Sequence, residues 1–89
     1  MDLNASIPEK VEAVFRRVRQ DGTPLETAGE GRWEYQGIEA SMSDGGYGQR
    51  IYTEELSVWV QHGNKPIYGV MHGDLEELDN LLVYLGLVQ

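Results

Sequence analysis

The 89-residue sequence predicts an α+β domain: an N-terminal helix, a three- or four-stranded antiparallel sheet, and a C-terminal helix. Three observations carry that expectation. Ser6-Ile7-Pro8-Glu9 is a capping-box pattern opening an amphipathic run. Residues 51–61 alternate with period two, with Leu56, Val58 and Val60 on one face, then break at His62-Gly63-Asn64-Lys65-Pro66 before an apolar run over 67–71. Asp74 then precedes leucines at helical spacing.

In the first helix, Ile7, Val11, Val14, Phe15 and Val18 share one face, while Glu9, Lys10, Glu12, Arg16, Arg17 and Arg19 are expected to face water. The arginines fall in its last turns, where positive charge complements the helix dipole. Asp21-Gly22-Thr23-Pro24 ends it, with Gly22 expected in a left-handed position and Pro24 forbidding continuation. Residues 25–31 offer little that could pack and read as a connecting loop.

Across 32–42 the pattern changes phase: Trp33 and Tyr35 have one parity, Ile38, Ala40 and Met42 the other. A two-residue hairpin turn at Gln36-Gly37 or a bulge would account for this, and two short strands are the favoured reading. Residues 43–48 form a glycine-rich connection into the long strand. In the second helix Asp74 is the N-cap with Glu77 at N3, Leu75, Leu78, Leu82 and Leu85 face inward, and Gly86 terminates it. No repeat, low-complexity segment or linker divides the chain, so one domain is expected over residues 1–89.

Fifteen acidic and seven basic side chains leave a net charge of −8, which opposes binding to phosphate backbones, so nucleic acid is not an expected partner. The absence of cysteine excludes disulfides, thiolate metal sites and a cysteine nucleophile. No apolar run approaches the ~20 residues that span a bilayer, and residues 1–6 lack the features of a signal peptide, so a cytoplasmic protein without membrane contact is expected. A chain of this size buries a modest core, and self-association is its expected supplement.

The residues Glu55-Leu56-Ser57-Val58-Trp59, a short turn, then Lys65-Pro66-Ile67-Tyr68-Gly69-Val70-Met71 and Gly73 resemble the strand pair of a small uncharacterised bacterial domain of unknown function. That domain carries a similar Glu-x-x-Val-Trp followed by Lys-Pro-hydrophobic-aromatic-Gly-x-Met, sometimes beside a helix-turn-helix regulator. The resemblance covers about a quarter of the chain and implies the fold of that segment but no activity. No DNA-binding helix pair accompanies it here.

Chemistry-bearing patterns are weak. Asp44-Gly45-Gly46-Tyr47-Gly48-Gln49 lacks the Lys-Ser/Thr ending and following helix of a phosphate-binding loop, and reads as a hairpin connection presenting Tyr47. His62 and His72 lie ~20 Å apart along a hairpin ladder and cannot share a site within one copy. His72 near Glu54, Glu55 and Asp74 is the one arrangement with metal-ligating character, and a surface role is the expectation. Glu54-Glu55 and Glu76-Glu77 point apart, so neither pair is a catalytic dyad. No catalytic residue, metal ligand or cofactor is therefore assigned.

The aromatic residues are the better clue. Trp59 has the opposite parity to Val58 and Val60, so one sheet face packs helices while the other displays Trp59. Trp33, Tyr35, Tyr47, Tyr68 and Trp59 are the candidate binding residues. The C-terminal segment is apolar nearly all round, which makes Val83, Tyr84, Leu87 and Val88 a candidate homodimer interface. The leading expectation is a non-enzymatic binding module, homodimeric, for a protein partner or a small ligand. The alternative is an acidic inhibitor or adaptor of phage or antidote type that blocks a basic site; a small metal-assisted enzyme is third.

Overall fold

In a computed structural model, which describes residues 1–25 and 31–88, two helices flank a six-stranded antiparallel sheet in chain order. The elements are α1 (Ile7–Asp21), β1 (Thr23–Pro24), β2 (Gly31–Tyr35), β3 (Ile38–Ser43), β4 (Gly48–Tyr52), β5 (Ser57–Gln61), β6 (Ile67–His72) and α2 (Leu75–Tyr84). The strands form a meander, each paired with its neighbours in sequence. The α+β order stands as expected, but six strands replace the expected three or four. The loop expected over 25–31 lies mostly outside the described residues.

Two local causes account for the extra strands. Residues 51–61 do not form one strand, because Thr53 folds the chain back: its backbone N–H donates to the Leu56 carbonyl at 2.7 Å, and its hydroxyl accepts from the amides of Glu55 and Leu56 at 3.2 and 3.1 Å. Leu56 remains fully buried within that turn, so its place in the apolar pattern conceals the break. At the opposite edge, Thr23 and Pro24 add a short strand beside Glu34 and Trp33.

The phase change at Gln36-Gly37 is a hairpin turn, with φ of 51° and 83°, the two positive values that a type I′ turn requires. Tyr35 pairs with Ile38, and this restores both apolar sets to one face. The Glu34 carboxylate accepts the Gly37 amide at 2.7 Å.

At the start of α1, the Ser6 hydroxyl accepts from the Glu9 amide at 3.3 Å and donates to the Glu9 carboxylate. Its other end departs from expectation: Gly22 has an ordinary φ of −89°, and glycine is needed for space, since a Cβ would sit 2.4 Å from the carbonyl oxygens of both Val18 and Glu34. α2 has the Asp74 carboxylate accepting from the Glu76 amide at 3.0 Å. It closes with Gly86 at φ 71°, the Leu87 amide bonding the Leu82 carbonyl and the Gly86 amide that of Val83, a complete Schellman motif.

Both helices contribute to one core on a single sheet face. Val11, Val14, Phe15 and Val18 of α1 and Leu78 and Leu82 of α2 bury with Ile38, Ala40, Ile51, Val58 and Val60. Phe15 meets Trp33 edge-on, with ring centroids 5.7 Å apart. Lys10, expected in water, is only 6% exposed and pairs with Asp79 at 2.7 Å. Arg17 donates to the Leu85 carbonyl at 2.9 Å. The two contacts advance together along both helices, which therefore lie side by side and run the same way. A hydrogen bond to Asp21 raises the Arg17 pKa above its already high ordinary value.

Candidate functional site

The strand register defines the face that the helices leave uncovered. Directly opposed residues share a face, so Arg32, Ser41, Arg50, Trp59 and Gly69 form one continuous row across five strands. Beside it runs a second row of Glu34, Glu39, Tyr52, Ser57 and His72. Among the described residues, no helix packs on these rows.

Arg50 stands at the centre. Its Nε and Nη2 donate to the Ser57 hydroxyl at 3.4 and 3.2 Å, and Ser57 itself is buried. Among the described residues no carboxylate pairs with Arg50, whereas Arg32 in the same row is paired with Glu39 at 3.3 Å. Hollows of about 260 and 380 Å³ lie on either side, and Ser41 and Arg50 line both.

Trp59 is half-buried because its indole lies across β6. A Cβ on the opposed Gly69 would come within 2.5 Å of Nε1 and 2.7 Å of Cζ2, so only glycine leaves room for the ring in this place. The tryptophan thus presents a flat apolar platform next to a guanidinium. The face is also free of the chain's acidic excess, because Arg32 and Arg50 balance Glu34 and Glu39 on the two rows.

The candidate aromatic residues do not converge. Trp59 alone lies on the uncovered face; Trp33, Tyr35 and Tyr68 follow the register onto the helix face, where Trp33 packs on Phe15 and Tyr35 lies beside Arg17. Tyr47 is exposed at the tip of the β3–β4 connection, beside a hollow of about 450 Å³ also lined by Arg16, Arg19 and His62. Tyr52 and Arg50 belong to the open face and are absent from the candidates drawn from sequence. Their signal was the alternation of Gln49 and Ile51 against Arg50 and Tyr52, readable once the strand is extended back to Gly48.

The histidines hold connections in place. His62 Nε2 bonds the buried Gln49 side-chain oxygen at 2.8 Å, and its backbone amide donates to the Tyr47 carbonyl at 2.7 Å. His72 Nε2 donates to the Glu54 carbonyl at 2.8 Å, which ties the β4–β5 turn to the end of β6. Among the described residues no three metal-ligating side chains converge, and no helix is long and apolar enough to cross a membrane.

At the C-terminal end, Val83 and Tyr84 are exposed, and the Tyr84 hydroxyl donates to the Gln36 side-chain oxygen at 2.6 Å. Leu87 and Val88 are half-buried against the chain's own core, and the Leu87 carbonyl accepts the Met1 ammonium at 2.9 Å. Compared with protein-family models, curated proteins and solved structures, the chain finds no match.

Proposed function

We propose that the chain is a small cytosolic protein-interaction domain, not an enzyme, whose recognition surface is the uncovered sheet face centred on Arg50 and Trp59. The observation that carries this reading is the row Arg32-Ser41-Arg50-Trp59-Gly69, laid out without interruption on a face that, among the described residues, no helix covers. Trp, Tyr and Arg are the residue types that dominate binding energy at protein interfaces, and Trp59, Tyr52 and Arg50 are neighbours here. Arg50 has donors to spare for a partner's carboxylate or carbonyl oxygen, while its Ser57 contact fixes the direction in which it offers them. The balance of charge on this face removes the repulsion that a net charge of −8 would impose elsewhere.

A second reading, the acidic inhibitor, is favoured by one observation. Glu54 and Glu55 of the β4–β5 turn and Asp74 and Glu76 at the start of α2 are all exposed, and the His72–Glu54 bond draws the two segments together at one end of the molecule. Photo-crosslinking in cells that make the protein separates the readings. A benzoylphenylalanine at Tyr52 should capture a partner protein, and Arg50→Glu should abolish that capture; capture of a protein other than a second copy of the chain only from position 54 or 76 would replace the first reading with the second.

A further inference from the structure

The two edges of the sheet are unlike. β1 closes one edge with two residues, one of them Pro24, whereas β6 closes the other with six residues that pair only with β5 among the described strands. An edge strand offers a row of unpaired backbone donors and acceptors, and chains ordinarily blunt such an edge with lysine, proline or inward charge. Between Pro66 and Gly73, β6 carries no Lys, Arg, Asp or Glu. Its apolar side chains are exposed on both faces, Ile67 at 56%, Tyr68 at 46%, Val70 at 38% and Met71 at 61%. The one blunting device is the irregularity opposite Ser57 and Val58, which sets Met71 out of register at one end.

We propose that β6 is a self-association edge, pairing antiparallel with β6 of a second copy about a two-fold axis normal to the sheet and joining the two sheets into one. The two-fold limits the register, because opposed residues must lie on the same face, so one residue stands opposite its own counterpart; Gly69 or Val70 in that place pairs the most of the strand. Charge selects a second copy as the occupant. Lys65 lies just before β6, and Asp74 and Glu76 lie just beyond it, all exposed. Antiparallel pairing brings Lys65 of each copy to the acidic end of the other. It also holds the two acidic ends apart by the length of a six-residue strand, ~20 Å, so that two chains of net charge −8 can meet. The join leaves the Arg50–Trp59 row on the same side of both copies.

Size-exclusion chromatography with light scattering, at micromolar and millimolar chain concentration, tests the assignment. Wild type should run at twice the 10.0 kDa chain mass at the higher concentration. Ile67→Lys and Met71→Lys replace exposed side chains, so the fold should survive with an unchanged circular dichroism spectrum, and each should run as a monomer. Val83→Glu, on the exposed face of α2, should remain a dimer. Lys65→Glu should weaken association about tenfold, from two exposed ion pairs lost per dimer, and adding Glu76→Lys should recover it. A monomeric wild type at millimolar concentration, a dimer that survives both β6 lysines, or a dimer broken by Val83→Glu would each overturn the proposal.

Discussion

Gly69→Ala tests the placement of the Trp59 indole directly. The new Cβ would lie 2.5 Å from Nε1, 2.6 Å from Cε2 and 2.7 Å from Cζ2, whereas carbon contacts settle at ~3.5–4.0 Å. The ring must therefore lift by about 1 Å or rotate away from β6. Such a movement exposes ~50–100 Å² of apolar surface, which at ~25 cal/mol per Å² costs ~1–2.5 kcal/mol. Alanine recovers part of that, because glycine in a strand interior is the worse residue by ~0.5–1 kcal/mol. The expected net loss is about 1 kcal/mol in urea unfolding. Two indole N–H signals are expected in a proton–nitrogen correlation spectrum; the Trp59 signal should shift and the Trp33 signal should stay. Gly63→Ala is the control, since nothing lies within 4 Å of its added Cβ, and it should be neutral. An unchanged Trp59 signal with unchanged stability in Gly69→Ala would refute the placement of the ring.

Val58→Ala removes two methyls from a fully buried position and should cost ~1–3 kcal/mol by the same unfolding assay; a loss below ~0.5 kcal/mol would argue against the assigned inward face. Thr53→Ala leaves two turn amides without their acceptor and should cost ~1–2 kcal/mol, while Thr53→Ser, which keeps the hydroxyl, should recover most of it. Generic duplex nucleic acid should show no binding by fluorescence anisotropy at low salt and micromolar protein; tight, salt-sensitive binding would contradict the charge argument.

Much of the frame was legible because short-range chemistry fixes it. Ser6 and Asp74 cap helices, Gly86 closes one, and Gln36-Gly37 turns a hairpin, each readable within four residues. The misread positions depend on what lies across space. Leu56 carries the parity of Val58 and Val60 back into the turn, because it is buried there as it would be in a strand, and the opposite parity of Ile51 is the only local mark of the break. Lys10 reads as a surface residue until α2 brings Asp79 to it. Gly22 reads as a left-handed terminus, yet its constraint is the approach of the Glu34 carbonyl from another strand. The site was half legible for the same reason. The parity of Trp59 gave its face, but Arg50 and Gly69 become its neighbours only through the register, and the same register takes Trp33, Tyr35 and Tyr68 to the other side of the sheet.

Apart from self-association through β6, the uncovered face is the surface expected to receive a partner protein. Site-specific photo-crosslinking in the producing cell measures this most directly, with the probe placed in turn at Ser41, Tyr52, Glu76 and Val83. One shared adduct is expected from Ser41 and Tyr52, lost with Arg50→Glu and absent from Glu76 and Val83. Adducts to another protein confined to Glu76 or Val83, or open-face adducts indifferent to Arg50→Glu, would overturn this reading.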